Sequence, residues 1–206
     1  MAYPPYWFEA SEYLADRDLI LSNLIVSYPN ETMTNAQNPF STLVRAIIGQ
    51  QISVKAATAI SSRLESLIGI VSTKHYLAAG EEELRQCGLS RPKIRYITNV
   101  ANAFEEGLLI PALWVEMSDE EIEKQLTSIS GIGMWTAQMF LIFHLHRPDI
   151  LPLSDIGLLK AVAKYYASGK QLTKTEVLEI ACVWKPYRTV ATWYLWRSLD
   201  PLPVQY

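Results

Sequence analysis

Apolar side chains recur along this chain at helical spacing. Leu43, Val44, Ile47 and Ile48 form one stripe, and Ala57, Ile60, Leu64 and Leu67 form another. No segment alternates with the period of two that marks a half-buried strand. Helix starts are signalled as well. Ser118 with Glu121, and Thr173 with Glu176, have the capping-box order, in which hydroxyl and carboxylate each satisfy a backbone N–H. Pro39, Pro92 and Pro186 stand where first helical turns would begin. The pattern predicts about ten helices, roughly at 8–16, 18–28, 39–51, 53–68, 73–79, 81–87, 91–106, 118–128, 133–146 and 155–167, with two more at 173–184 and 186–198. Polar residues 29–38 and the Pro-containing 147–154 are connectors, and neither is long enough to separate independent domains.

The fold class is therefore all-α. With 206 residues, 50% of them hydrophobic, the chain suits one compact unit or two closely packed lobes. No apolar run approaches the roughly 18–20 residues a membrane span needs. The opening MAYPPYWFEASEYLADRD lacks the basic-then-apolar order of a secretory signal, so a soluble, non-secreted protein is expected. Cys87 and Cys182 belong to no C-x-x-C pair, and two thiols cannot hold an iron–sulfur cluster or a four-thiolate zinc. Both are expected as buried, reduced thiols. His144 and His146, two positions apart on a helix, point to different faces, which argues against a zinc site.

The net charge of −3 argues at first against a nucleic-acid binder, but its distribution changes that picture. Residues 1–31 hold five acids against Arg17, and residues 116–124 five acids against Lys124; the remainder carries 16 Lys/Arg against 11 Asp/Glu. Residues 84–104 contain Arg85, Arg91, Lys93 and Arg95 and no acid. DNA affinity follows the local field more than the total charge. Either a one-sided basic surface or plain solvated helix faces fit this pattern.

Residues 126–137 read LTSISGIGMWTA: a capped acidic helix, a turn with Gly131 and Gly133, then an apolar helix. Glycines allow a tight bend and the close approach of another backbone. The N–H groups of residues 131–135 then open a helix, where the dipole favours an anion such as a DNA phosphate. Ile129 and Ile132 would anchor the hairpin. A G-x-G turn alone would fit an ordinary helix corner. The wider string resembles the helix–hairpin–helix of the DNA glycosylase superfamily, which continues with a Pro-containing loop and an aspartate opening the next helix. Here Pro148 and Pro152 precede Asp155, which starts DIGLLKAVAKYY. FSTLVRAIIGQQISVKAA (40–57), GLSRPKIRYI (88–97) and WKPYRTVATWYLW (184–196) resemble the 3-methyladenine DNA glycosylase II (alkylation-repair) branch, and the likeness runs from about residue 38 to 201.

By its position alone Asp155 reads as a helix N-cap. The resemblance implies the catalytic carboxylate, which a helix N-terminus helps keep ionised. It also implies a two-lobed fold with the active site in the cleft, residues 45–150 forming a helical barrel lobe with its helix–hairpin–helix at 118–146, and residues 1–44 with 151–206 forming the other. A lysine stands at position 135 in bifunctional members; Trp135 offers no amine, which implies base removal without strand cleavage. Trp135, Trp196 and Met139 are expected in the base pocket. Met139, standing where some members carry Tyr, and Ile156, in place of an aromatic after the aspartate, make that pocket leaner. Gln51 matches the wedge that fills the gap left by a flipped nucleotide. Arg91, Lys93, Gly131, Gly133, Met134 and Thr136 are assigned to DNA, with Lys185 and Arg188 as further cations. The carbonyls of Thr127, Ile129 and Ile132 are the family's place for Na⁺ or K⁺; no catalytic metal or organic cofactor is implied. The expected partner is double-stranded DNA with alkylated bases, met by a monomer in the nucleoid or nucleus. The alternatives are a non-catalytic hairpin module and a glycosylase for other damaged bases.

Overall fold

The computed structural model describes residues 3–29, 31–33 and 38–200, so residues 30 and 34–37 of the polar connector lie outside the described residues. Among these are twelve α-helices and two 3-10 turns, and no strand. The chain divides into two compact units, one of Met1–Asn35 and Leu145–Gln205, the other of Ala36–His144. The expected lobe of 45–150 is thus shifted. Residues 39–49 form one helix capped by the Asn38 side chain on the Ser41 amide, which a boundary after residue 44 would cut.

The first unit contains α1 (Trp7–Arg17), α2 (Leu19–Ser27), α10 (Ile156–Tyr166), α11 (Lys174–Ile180), a 3-10 turn (Ala181–Trp184) and α12 (Arg188–Arg197). Its hub is Asp18. One carboxylate oxygen caps α2 through the Ile20 and Leu21 amides, and the other accepts the Tyr166 hydroxyl at 2.7 Å and the Trp184 indole N–H at 2.8 Å. Three separate chain segments are thereby fixed to one acid, and each buried donor is satisfied. α12 is buried nearly all round, with Thr189 to Trp196 all shielded from solvent. Its first turn grips the loop before α10. The Thr189 hydroxyl donates to the Arg147 carbonyl at 2.6 Å and accepts the Ile150 amide at 3.0 Å. Arg188 meets both oxygens of Asp149, at 2.6 and 2.8 Å, the bidentate geometry a guanidinium favours.

The second unit contains α3 (Pro39–Gly49), α4 (Val54–Ile68), α5 (Thr73–Ala78), α6 (Glu81–Gln86), α7 (Arg91–Glu105), a 3-10 turn (Pro111–Leu113), α8 (Asp119–Thr127) and α9 (Met134–Phe143). α3 and α9 form its centre; Leu43, Val44, Ile47, Ile48, Phe140, Leu141 and Ile142 are fully buried.

All twelve helices fall where the pattern predicts, and both capping boxes form. Three expectations need correction. The stripe on α4 buries only Leu64, while Leu67 stays 40% exposed. Pro186 precedes α12, following a cis peptide, because the helix starts at Arg188. Cys87 is buried but Cys182, on a short 3-10 turn, is exposed.

Candidate active site and nucleic-acid interface

In the first unit, Asp155 is the N-cap of α10. Its Oδ1 accepts the Leu158 amide at 2.6 Å and the Trp196 indole N–H at 2.7 Å. The carboxylate is half-buried, and Ile156 beside it is 68% exposed. Two donors therefore converge on one carboxylate oxygen at a helix N-terminus. Gly157 leaves room for this arrangement. A Cβ there would stand 3.1 Å from Asp155 Oδ1 and 3.2 Å from Trp196 Cδ1, close enough that the carboxylate or the indole would have to give by a few tenths of an ångström. Trp196 is 6% exposed and adjoins the carboxylate. The N-cap reading and the carboxylate reading of Asp155 therefore describe the same group.

In the second unit, α8 and α9 are joined by a hairpin closed by two amide bonds, Ile129 N–H to the Leu126 carbonyl and Ile132 N–H to the Ile129 carbonyl. Ile132 is buried and Ile129 half-buried, so both anchor the turn. Gly131 has φ +104°, and a Cβ would meet the Tyr96 side chain at 2.3 Å; only glycine fits there. Gly133 is different. It caps α9 with ordinary φ, a Cβ would meet nothing within 4 Å, and the helix start has no side-chain cap. Gly133 and Met134 are exposed at this helix start. α7 braces the hairpin from behind, with the Asn99 amide donating to the Ser130 carbonyl at 3.2 Å.

The turn from α3 to α4 has a type II form. Gln50 has φ −55° and ψ 123°, Gln51 has φ +59°, and the Ile52 amide reaches the Gly49 carbonyl at 3.4 Å. The third position of such a turn normally belongs to glycine. A non-glycine residue there is strained by about 1–2 kcal/mol. Gln51 is exposed at this apex.

Several expected roles change. Met139 is 1% exposed inside the mostly buried α9 and is a core side chain, with no surface for a base. The Thr136 hydroxyl is internal, accepting the Gln50 side-chain amide at 2.9 Å, so its side chain does not face DNA. Lys93 is not an outward cation either. Its ammonium donates to the carbonyls of Ile48 at 2.6 Å and Gln50 at 2.9 Å, and burial pushes its pKa below the usual lysine value. Arg188 is held by Asp149. Arg91 is 75% exposed in a loose pair with Glu81 at 3.7 Å, a contact of little energetic worth that leaves it free to exchange. Lys185 is exposed, and Trp135 is half-buried on the first turn of α9. Of the three carbonyls proposed for a monovalent cation, that of Ile129 already accepts the Ile132 amide.

Sequence reasoning passed over Gly157, Gln50, Tyr96 and Asn99. Gly157 had a signal, since a glycine in the first turn of an apolar helix needs a reason. The other three act through distant backbone, which no local pattern encodes.

Residues 44–186 match the model of the HhH-GPD superfamily of base excision DNA repair proteins, and the chain belongs to that family. It is 36% identical over 183 residues to DNA-3-methyladenine glycosylase 1 of Schizosaccharomyces pombe, covering 86% of this chain and 80% of that one. The solved structure of the S. pombe 3-methyladenine DNA glycosylase Mag1, in complex with abasic DNA, superposes with a TM-score of 0.85 at 31% identity, over 92% of this chain and 96% of that one. A DNA-3-methyladenine glycosidase from Bacillus halodurans superposes with a TM-score of 0.77 at 34% identity, over 96% and 92% of the two chains. Among the described residues no helix is long and apolar enough to cross a membrane.

Proposed function

We propose that the protein is a monofunctional DNA glycosylase that removes alkylated bases of the 3-methyladenine type from duplex DNA, with Asp155 as its catalytic carboxylate. The observation that carries this reading is the Asp155 geometry, a carboxyl group fixed by a helix start and an indole and half-buried. When the C1′–N bond breaks, its electron pair leaves with the base and positive charge builds on the sugar. A carboxylate nearby stabilises that charge and takes a proton from the water that attacks C1′. An alkylated base already carries positive charge and leaves readily, so weak discrimination suffices. Position 135 supplies an indole and no amine, so no Schiff base with the sugar forms and the strand is left intact. Trp135 is assigned to stacking on an extruded base, Gln51 to filling the space behind it, and the exposed start of α9 at Gly133 and Met134, with Arg91, to backbone phosphate.

Base release from methylated duplex DNA, compared between wild type and Asp155→Asn, tests this. Asparagine keeps an oxygen for the Leu158 and Trp196 donors, so the variant folds while lacking the charge. Release is expected to fall at least about 100-fold, with strands cut only after alkali. Equal release by the variant, or direct strand cleavage by the wild type, rules the reading out.

A further inference from the structure

In the second unit one lysine sits behind the α3–α4 turn and uses its donors on that turn's own backbone. Lys93 Nζ reaches the carbonyl of Ile48 in the last turn of α3 and the carbonyl of Gln50. The second acceptor matters most. Type I and type II turns differ by a flip of the peptide between the two central residues, here Gln50–Gln51. The Gln50 carbonyl belongs to that peptide, so a donor held on it selects one flip state. The selected state places Gln51 at φ +59°, a left-handed conformation that disfavours glutamine. The side chain of the same Gln50 then reaches the other way, donating to the Gly131 carbonyl at 3.1 Å and to the Thr136 hydroxyl at 2.9 Å. One residue thus ties the turn to the hairpin, and Lys93 holds that residue by its backbone.

We infer that Lys93 is a positioning residue: by clamping the Ile48 and Gln50 carbonyls it locks the α3–α4 turn so that Gln51 stands ready to enter the duplex in register with the hairpin on the phosphate. Lys93 itself touches no DNA in this scheme. The inference rests on the reading of the protein as a base-flipping glycosylase.

The two possible roles of Lys93 separate in a salt titration. Binding of the full chain to a duplex with a stable abasic analogue is measured against salt, with 2-aminopurine opposite the analogue to report insertion of Gln51. Lys93→Met is expected to leave the slope of log K on log salt unchanged. Its 2-aminopurine signal falls to the level of Gln51→Ala, and single-turnover base release drops about tenfold or more. Lys93→Arg, which keeps two donors, restores most of both. A thermal melt checks folding; if Lys93→Met has melted at the assay temperature, the same readouts are taken for it and for Lys93→Gln at a lower temperature where both are folded. A slope reduced by about 0.9 with the fluorescence signal intact would mean a phosphate contact and overturn the inference. A wild type that binds the duplex without any 2-aminopurine change overturns the flipping reading as well.

Discussion

Trp196 Nε1 donates to Asp155 Oδ1 across 2.7 Å, on the same oxygen that caps α10. The indole therefore fixes the rotation of the carboxylate, and its N–H is the only part of the ring needed for this. Trp196→Phe keeps an aromatic ring there and removes the donor. Single-turnover base release is expected to fall about tenfold, with a stability loss of about 1 kcal/mol. A variant that melts earlier but turns over as the wild type does would assign the bond to folding alone.

Gly157→Ala sets two effects against each other. Alanine favours the helix by about 1 kcal/mol, but the new methyl would press on Asp155 Oδ1 and the Trp196 ring at 3.1 and 3.2 Å. The melting temperature is expected to change little while base release drops several-fold. Unchanged release would show that the indole can shift without cost to the carboxylate.

The two hairpin glycines should part company. Gly131→Ala meets Tyr96 and a left-handed backbone together, and is expected to destabilise by about 2–4 kcal/mol in a denaturant melt. Gly133→Ala meets nothing in the protein and should leave stability nearly unchanged. Its methyl projects where a phosphate would approach the α9 amides, so its cost should appear as weaker DNA binding.

The pair of Arg197 and Glu31 predicts an acid limb. Arg197, stacked over Tyr28, bonds both Glu31 oxygens and holds that carboxyl below its ordinary value near 4.5. A depressed carboxyl gives stability that is fully present above the unfolded-state value and is lost as the pH falls through the folded one. Glu31→Gln is expected to cost about 1 kcal/mol at neutral pH, since Glu31 is a third exposed. The difference from wild type should shrink in denaturant melts taken below about pH 4. A constant difference across that range would place the effect in packing.

Sequence pattern reached the helices because their causes are local. Spacing, caps and prolines lie within one or two turns of the residues they govern, as at Ser118 with Glu121. The N-cap at Asp155 was legible for the same reason, whereas its assignment as a catalytic carboxylate came from the family resemblance and from no local pattern. The bonds of Lys93 were not legible because its composition signal, a cation in an acid-free run, says nothing about the carbonyls of Ile48 and Gln50, more than 40 residues away in the chain. The burial of Met139 and the Thr136 hydroxyl was not legible because seven of the ten residues of α9 are buried, Thr136, Ala137 and Met139 to Phe143, and the apolar period singles out no one inner face.

The division of the chain gives the two units unequal histories during synthesis. The hairpin unit is one continuous stretch, Ala36–His144, and every partner it needs has left the ribosome once that stretch has emerged. α1 and α2 appear first but belong with Leu145–Gln205, so they wait through roughly 100 residues of intervening chain, about 5–20 s at ordinary elongation rates. Of the twelve α-helices, α12 emerges last, and it carries the indole that orients Asp155. A nascent chain would thus hold the hairpin before it holds the indole that orients Asp155.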